Sequence, residues 1–139
     1  MRFAALALMA LVSSAACSLT PSGHDECSSD SQCGDDVCAR SGECLVRQSL
    51  RTVAVKWTVN GAAANAISCA SHPELYLQFD GTDYGDTLRF GPVACRDGVF
   101  VVDKLPKRYA QVELGVDGGT GDVQPIDVAT SQVALDLFH

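Results

Sequence analysis

Cysteine is the residue type in this 139-residue chain whose spacing most plainly carries chemistry, and there are seven of them. A thiol can be acylated, bridged to a second thiol, or, as thiolate, can ligate a metal. Cys27, Cys33, Cys38 and Cys44 form one run, spaced Cys-x5-Cys-x4-Cys-x5-Cys, while Cys69 and Cys95 stand apart in sequence of a different character. Zinc sites usually draw cysteines as pairs about two to four residues apart, which this spacing does not supply, so disulfides are expected and no metal. The simplest arrangement is two bridges within the run and one from Cys69 to Cys95. Within the run the pairing stays open, because four cysteines allow three connectivities. That leaves Cys17, which follows the small residues Ser13-Ser14-Ala15-Ala16.

Other reactive groupings are sparse. There is no G-x-S-x-G and no H-E-x-x-H, and Gly118-Gly119-Thr120-Gly121 lacks the lysine and helix of a phosphate loop, so it reads as a turn. His24, His72 and His139 fall in a linker, beside Pro73 in a loop, and at the terminus, where solvated histidines are the rule. Lys104, Lys107 and Arg108 make the main basic cluster, expected to be an edge or turn kept soluble by charge. Around the first four cysteines, Asp25, Glu26, Asp30, Asp35, Asp36 and Glu43 stand against Arg40 alone. The order of an EF-hand loop is missing, and acidic residues in Gly-rich turns mostly bond the local backbone, so solvated turns are expected rather than a calcium site. No catalytic residue and no cofactor is expected.

The compartment decides how these thiols behave. Met1-Arg2 is a short basic start and Phe3 to Val12 an unbroken apolar run, a secretory layout too short for a membrane-spanning helix of about 20 residues. Leu11 to Cys17, Leu-Val-Ser-Ser-Ala-Ala-Cys, resembles a bacterial lipobox, with Ser14 where that signal usually has Leu. The resemblance implies cleavage after residues 1–16 and lipidation of Cys17, hence an anchor in the cell envelope, with the outer membrane the expected address. Without the lipid the chain would be secreted. With Cys17 acylated, the other six cysteines form an even set in an oxidising compartment.

A mature chain of 139 less 16 residues would carry a net charge of −8, since −7 for the whole includes Arg2. An acidic surface argues against nucleic acid and against electrostatic binding to anionic lipid, so the lipid itself must provide the membrane contact. Residues 17–25 read as a lipidated tether, broken by Pro21 and Gly23. Residues 26–46 are nearly devoid of apolar side chains beyond Val37, Ala39, Leu45 and Val46, so cross-links must supply much of their stability. The pattern Cys27-Ser-Ser-Asp30-Ser-Gln-Cys33-Gly34, followed by Cys38 and Gly-Glu-Cys44, is similar to short cysteine-rich repeats of myxobacterial envelope lipoproteins, which in turn resemble part of the Dickkopf cysteine-rich domain. That resemblance implies first-to-third and second-to-fourth pairing and carries no activity.

From Arg51 onward the chain turns to period two. Val53, Val55, Trp57 and Val59 alternate with Ala54, Lys56 and Thr58 before Asn60-Gly61, and Leu75, Leu77 and Phe79 do the same before Asp80-Gly81. Trp57 is expected in the core. Residues 62–70 suit a short helix or a packed loop equally. Leu88 to Phe90, Val99 to Val102, Ala110 to Val116 and Val133 to Phe138 complete six or seven short strands with no long helix. The expected fold of residues 51–139 is therefore an antiparallel β-sandwich, making the whole chain mainly β with a small disulfide-rich module in front. Leu105-Pro106-Lys107-Arg108-Tyr109 entering a strand, then Asp117-Gly118-Gly119, resembles the Pro-Gly-x-Tyr region of transthyretin-like and carboxypeptidase-regulatory-like sandwiches, with Lys107 and Arg108 in place of Gly. Such relatives are mostly adhesive, structural or accessory modules.

The function expected on these grounds is non-enzymatic: a lipid-anchored envelope protein with a structural role or a protein or polysaccharide partner. The alternative is a ligand-binding module, for carbohydrate through exposed aromatics such as Tyr84 and Tyr109 or for calcium through the acidic cysteine run.

Overall fold

The computed structural model of the chain describes residues 27–119, 121–127, 129 and 131–138. The expected leader and tether, and Cys17 as the expected lipidation residue, lie outside the described residues. The chain is mainly β. Two short strands, β1 (Val37–Cys38) and β2 (Cys44–Leu45), are followed by β3 (Leu50–Val59), β4 (Ala62–Ala63), β5 (Glu74–Gly81), β6 (Thr87–Ala94), β7 (Val99–Pro106), β8 (Tyr109–Gly115), β9 (Asp122–Pro125) and β10 (Gln132–Leu137).

The strands form two layers. In one, β3 is central, with β10 on one side and β7 and β4 also paired to it. In the other the order is β6-β5-β8-β9. Alternation sends Val53, Val55, Trp57 and Val59 of β3 inward to meet Leu75, Leu77 and Phe79 of β5 and Val112 and Leu114 of β8, all in one buried cluster. Burial of each aliphatic side chain contributes about 1.5–3 kcal/mol. Phe90 of β6 bridges the layers, edge-on to Phe79 at 5.7 Å and tilted against Phe100 of β7 at 5.2 Å.

Crossings between the layers account for the turns. The 3-10 turn Cys95–Asp97 leads from β6 to β7 at one end of the sandwich, and residues 64–73 cross from β4 to β5 at the same end. The Cys69–Cys95 disulfide ties these two crossings together, with both residues buried. Closing a loop of that span stabilises by roughly 3–4 kcal/mol in the chain-entropy picture. Trp57 is buried beside it and its Nε1–H donates to the Cys95 carbonyl at 2.7 Å, so the indole carries no unsatisfied donor into the core. Residues 62–70 are neither a helix nor wholly a loop: Val59 and Thr58 pair with Ala62 and Ala63, after which the chain runs through turns.

One pair departs from the expected antiparallel pattern. β10 runs parallel to β3, Gln132 opposite Ala54 through Leu137 opposite Val59. The cause is β9, a strand too short and polar to stand out in the sequence. It returns antiparallel to β8, and the chain then crosses layers beside the start of β3, so β10 leaves in the same direction as β3. Ile126 fastens this crossing, its N–H donating to the Ala110 carbonyl at 2.8 Å and its side chain buried.

Candidate functional site

The cysteine-rich segment holds itself together locally. Its bridges are Cys27–Cys38 and Cys33–Cys44, first to third and second to fourth. The β1–β2 ladder brings Cys38 opposite Cys44, and Gln32 caps the turn Asp30–Gln32 by accepting from the Ser28 and Ser29 N–H groups at 2.7 and 3.0 Å. The sulfurs of Cys27, Cys33 and Cys38 lie within 4.8 Å of one another, but each is in a disulfide and offers no thiolate to a metal.

This segment is docked on the sandwich by charge. β7 carries a bulge: Arg51 faces Leu105 and Val53 faces Val102, so Asp103 and Lys104 together oppose Thr52. Lys104 sits there at φ +52°, a conformation that side chains other than glycine seldom adopt. The bulge offers both residues to the cysteine-rich segment. Lys104 Nζ lies 2.8 Å from Asp30, Arg40 pairs with Asp103, and the Arg40 N–H donates to the Lys104 carbonyl at 3.1 Å. An edge strand that would otherwise present open backbone groups is covered at this point. Asp30 also accepts from the Cys38 N–H at 3.0 Å, and the hydrogen bonds from Lys104 and Cys38 hold its carboxyl below the ordinary value of 3.8.

Arg108 makes the second dock and organises the candidate site. Leu105-Pro106-Lys107-Arg108-Tyr109 is not a hairpin but a crossing from β7 in one layer to β8 in the other. It is pinned on both sides, the Lys107 N–H donating to the Ser49 carbonyl at 2.9 Å and the Thr82 N–H to the Arg108 carbonyl at 3.1 Å. From this corner the guanidinium reaches two carboxylates on separate segments: Glu43 of the cysteine-rich segment, and Asp86 of the β5–β6 loop, at 2.5 Å. Glu43 accepts in addition from Ser41 Oγ at 2.6 Å, and Asp86 from the Tyr109 hydroxyl at 2.8 Å. Burial acts to depress the Arg108 pKa, but the hydrogen bonds to Asp86 and Glu43 outweigh it and hold the group above its ordinary value. Burial and then the Asp86 hydrogen bond push the Tyr109 phenol up to about 12.

Above this network lies an open groove of about 790 Å³, with Ser41 to Leu45 on one wall and Asp83 to Leu88 on the other. Tyr84 stands on its rim fully exposed. Among the described charged side chains lining it, Glu43, Asp83 and Asp86 face one cation, Arg108. The arrangement offers an aromatic face, carboxylate acceptors, hydroxyls of Ser41 and Thr87 and a small apolar floor from Leu45 and Leu88.

Tyr109 is no exposed platform: its ring is buried in the core and only its hydroxyl reaches Asp86, because the layer crossing turns it inward. Lys104 and Arg108 are not a solubility patch but the two cations that hold the cysteine-rich segment, while Lys107 alone of the three is exposed. Asp30 and Glu43, expected in solvated turns, are correspondingly ion-paired to Lys104 and Arg108. Tyr84 keeps its exposed position. His72 lines a second groove, of about 690 Å³ at the disulfide end, with Tyr76 and Arg89. There the Arg89 guanidinium stacks 3.8 Å above the Tyr76 ring, whose hydroxyl donates to Glu113 at 2.6 Å. Sequence spacing could not reveal the Arg108 hub, since its partners lie 65 and 22 residues away.

No family model, no curated protein and no solved structure matches this chain.

Proposed function

We propose that this chain is a non-enzymatic, lipid-anchored protein of the cell envelope, tethered through Cys17, that engages a protein or polysaccharide partner at the groove between its cysteine-rich segment and its sandwich. The observation that carries the binding half is Tyr84, a large aromatic left fully exposed on the rim of a groove whose two walls come from different segments. The anchoring half is supported by the basic-apolar start and the lipobox-like Leu11 to Cys17. Three disulfides agree with an oxidising compartment.

Two measurements test it. Mass spectrometry of the protein recovered from membranes should find Cys17 as an acylated first residue, and an unmodified Cys17 in a wholly soluble protein would remove the anchor. A photoreactive residue at position 84 should capture an envelope component in intact cells, whereas the same residue at Thr52, outside the groove, should not. Equal capture at both positions would remove the groove as the binding site.

A further inference from the structure

We infer that the groove takes an extended segment of a partner protein bearing lysine or arginine, with a cationic side chain against the Tyr84 ring and the Asp83 carboxylate. This rests on the interaction reading above and adds the chemistry of the partner. Three carboxylates and one guanidinium line the groove, and that guanidinium, on Arg108, is already shared between Glu43 and Asp86. Asp83 makes no side-chain hydrogen bond or ion pair among the described residues, so the groove presents uncompensated negative charge. Next to it in the chain stands an exposed aromatic ring, whose face attracts a cation by its quadrupole. A mature chain of net charge −8, with residues 1–16 removed, steers basic segments toward itself and repels acidic polysaccharide. A neutral glycan could stack on Tyr84 and hydrogen-bond to the carboxylates, but it would leave the charge of Asp83 unmatched.

The test uses the oxidised chain, isotope-labelled for NMR, titrated with an oligolysine peptide, with an oligoglutamate peptide, and with a neutral chitooligosaccharide. The oligolysine peptide should shift the amides of residues 41–45 and 82–88, and added salt should weaken its binding. Asp83→Asn and Tyr84→Ala, both at exposed positions of a loop, should each weaken it roughly two- to five-fold, and Lys107→Gln should not. Absence of binding, shifts elsewhere on the molecule, or indifference to both groove variants would overturn the inference. So would the chitooligosaccharide shifting the same amides more strongly than the peptide, which would assign the groove to polysaccharide. Capture from position 84 in cells without affinity for oligolysine would leave the interaction reading standing and remove only the cationic partner.

Discussion

Lys104 and Asp30 meet at 2.8 Å although 74 residues separate them, and the meeting depends on a backbone irregularity in β7. The bulge at Asp103–Lys104 twists that edge out of register, which offers an ammonium and a carboxylate to the cysteine-rich segment together with the carbonyl that Arg40 takes. Since the segment buries few apolar side chains of its own, cross-links within and ion pairs across are what place it.

Acid should therefore loosen the dock. The carboxyls of Asp30 and Asp103 are both depressed, Asp30 chiefly by its hydrogen bond from Lys104 and Asp103 chiefly by its hydrogen bond from Arg40. A group whose folded pKa is lowered contributes stability above its unfolded value and loses it as pH falls through the folded value. Docking should thus hold at neutral pH and weaken progressively below the ordinary value of 3.8. Hydrogen exchange should show residues 27–45 losing protection in that window while β3, β5 and β8 keep theirs.

Arg108→Ala should destabilise the protein by about 2 kcal/mol, because it removes the guanidinium that Glu43 and Asp86 share in partly buried positions. Lys107→Ala, one residue away on the exposed side of the same corner, should change stability by less than about 0.5 kcal/mol. Chemical denaturation of the two variants provides the comparison, and equal effects would deny Arg108 its role.

The three disulfides should yield to reductant in order. Cys69 and Cys95 are buried under the layer crossings, while Cys27, Cys33 and Cys44 are partly exposed. Under native conditions a maleimide should label Cys27, Cys33, Cys38 and Cys44 before Cys69 and Cys95, as read by peptide mapping. Simultaneous labelling would mean that the sandwich opens as readily as the segment docked on it.

Gly115→Ala should act through Tyr76. Tyr76 lies opposite Gly115, and a Cβ at Gly115 would sit 2.6 Å from its hydroxyl oxygen, so the ring must move. The expected cost is about 1–3 kcal/mol. Tyr76 is pushed up to about 12, first by its hydrogen bond to Glu113 and then by burial. A phenol raised in the folded state contributes stability that is present below about 10 and is lost as pH rises through the folded value. Ultraviolet titration should find two tyrosines, Tyr76 and Tyr109, ionising at about 12, and in Gly115→Ala one of them should ionise earlier.

Period-two alternation made β3, β5, β8 and β10 legible in advance, because a strand with one buried face must place Val53, Leu77, Val112 and Leu135 on that face whatever its neighbours are. Asp122–Pro125 is not legible in this way, because four residues of mixed polarity, ending in proline, carry no such pattern and become a strand only by pairing with β8. The burial of Tyr109 is hidden from local sequence for a related reason. A tyrosine after a Lys-Arg turn reads as exposed if the turn is a hairpin tip and as buried if it is a corner between layers, and local sequence is the same in both cases.

What the sequence determined by itself were the quantities set within a few residues: the inward faces of the strands, the punctuation by Asn60-Gly61 and Asp80-Gly81, and the reading of six cysteines as bridges. Only the tertiary structure decided which charges meet, that β10 runs parallel to β3, and that a groove opens beneath Tyr84. Arg40 with Asp103 and Arg108 with Glu43 are joined across 63 and 65 residues. Such partners are chosen by where the chain crosses between layers and by the register it then adopts, and neither is encoded in the residues that finally touch.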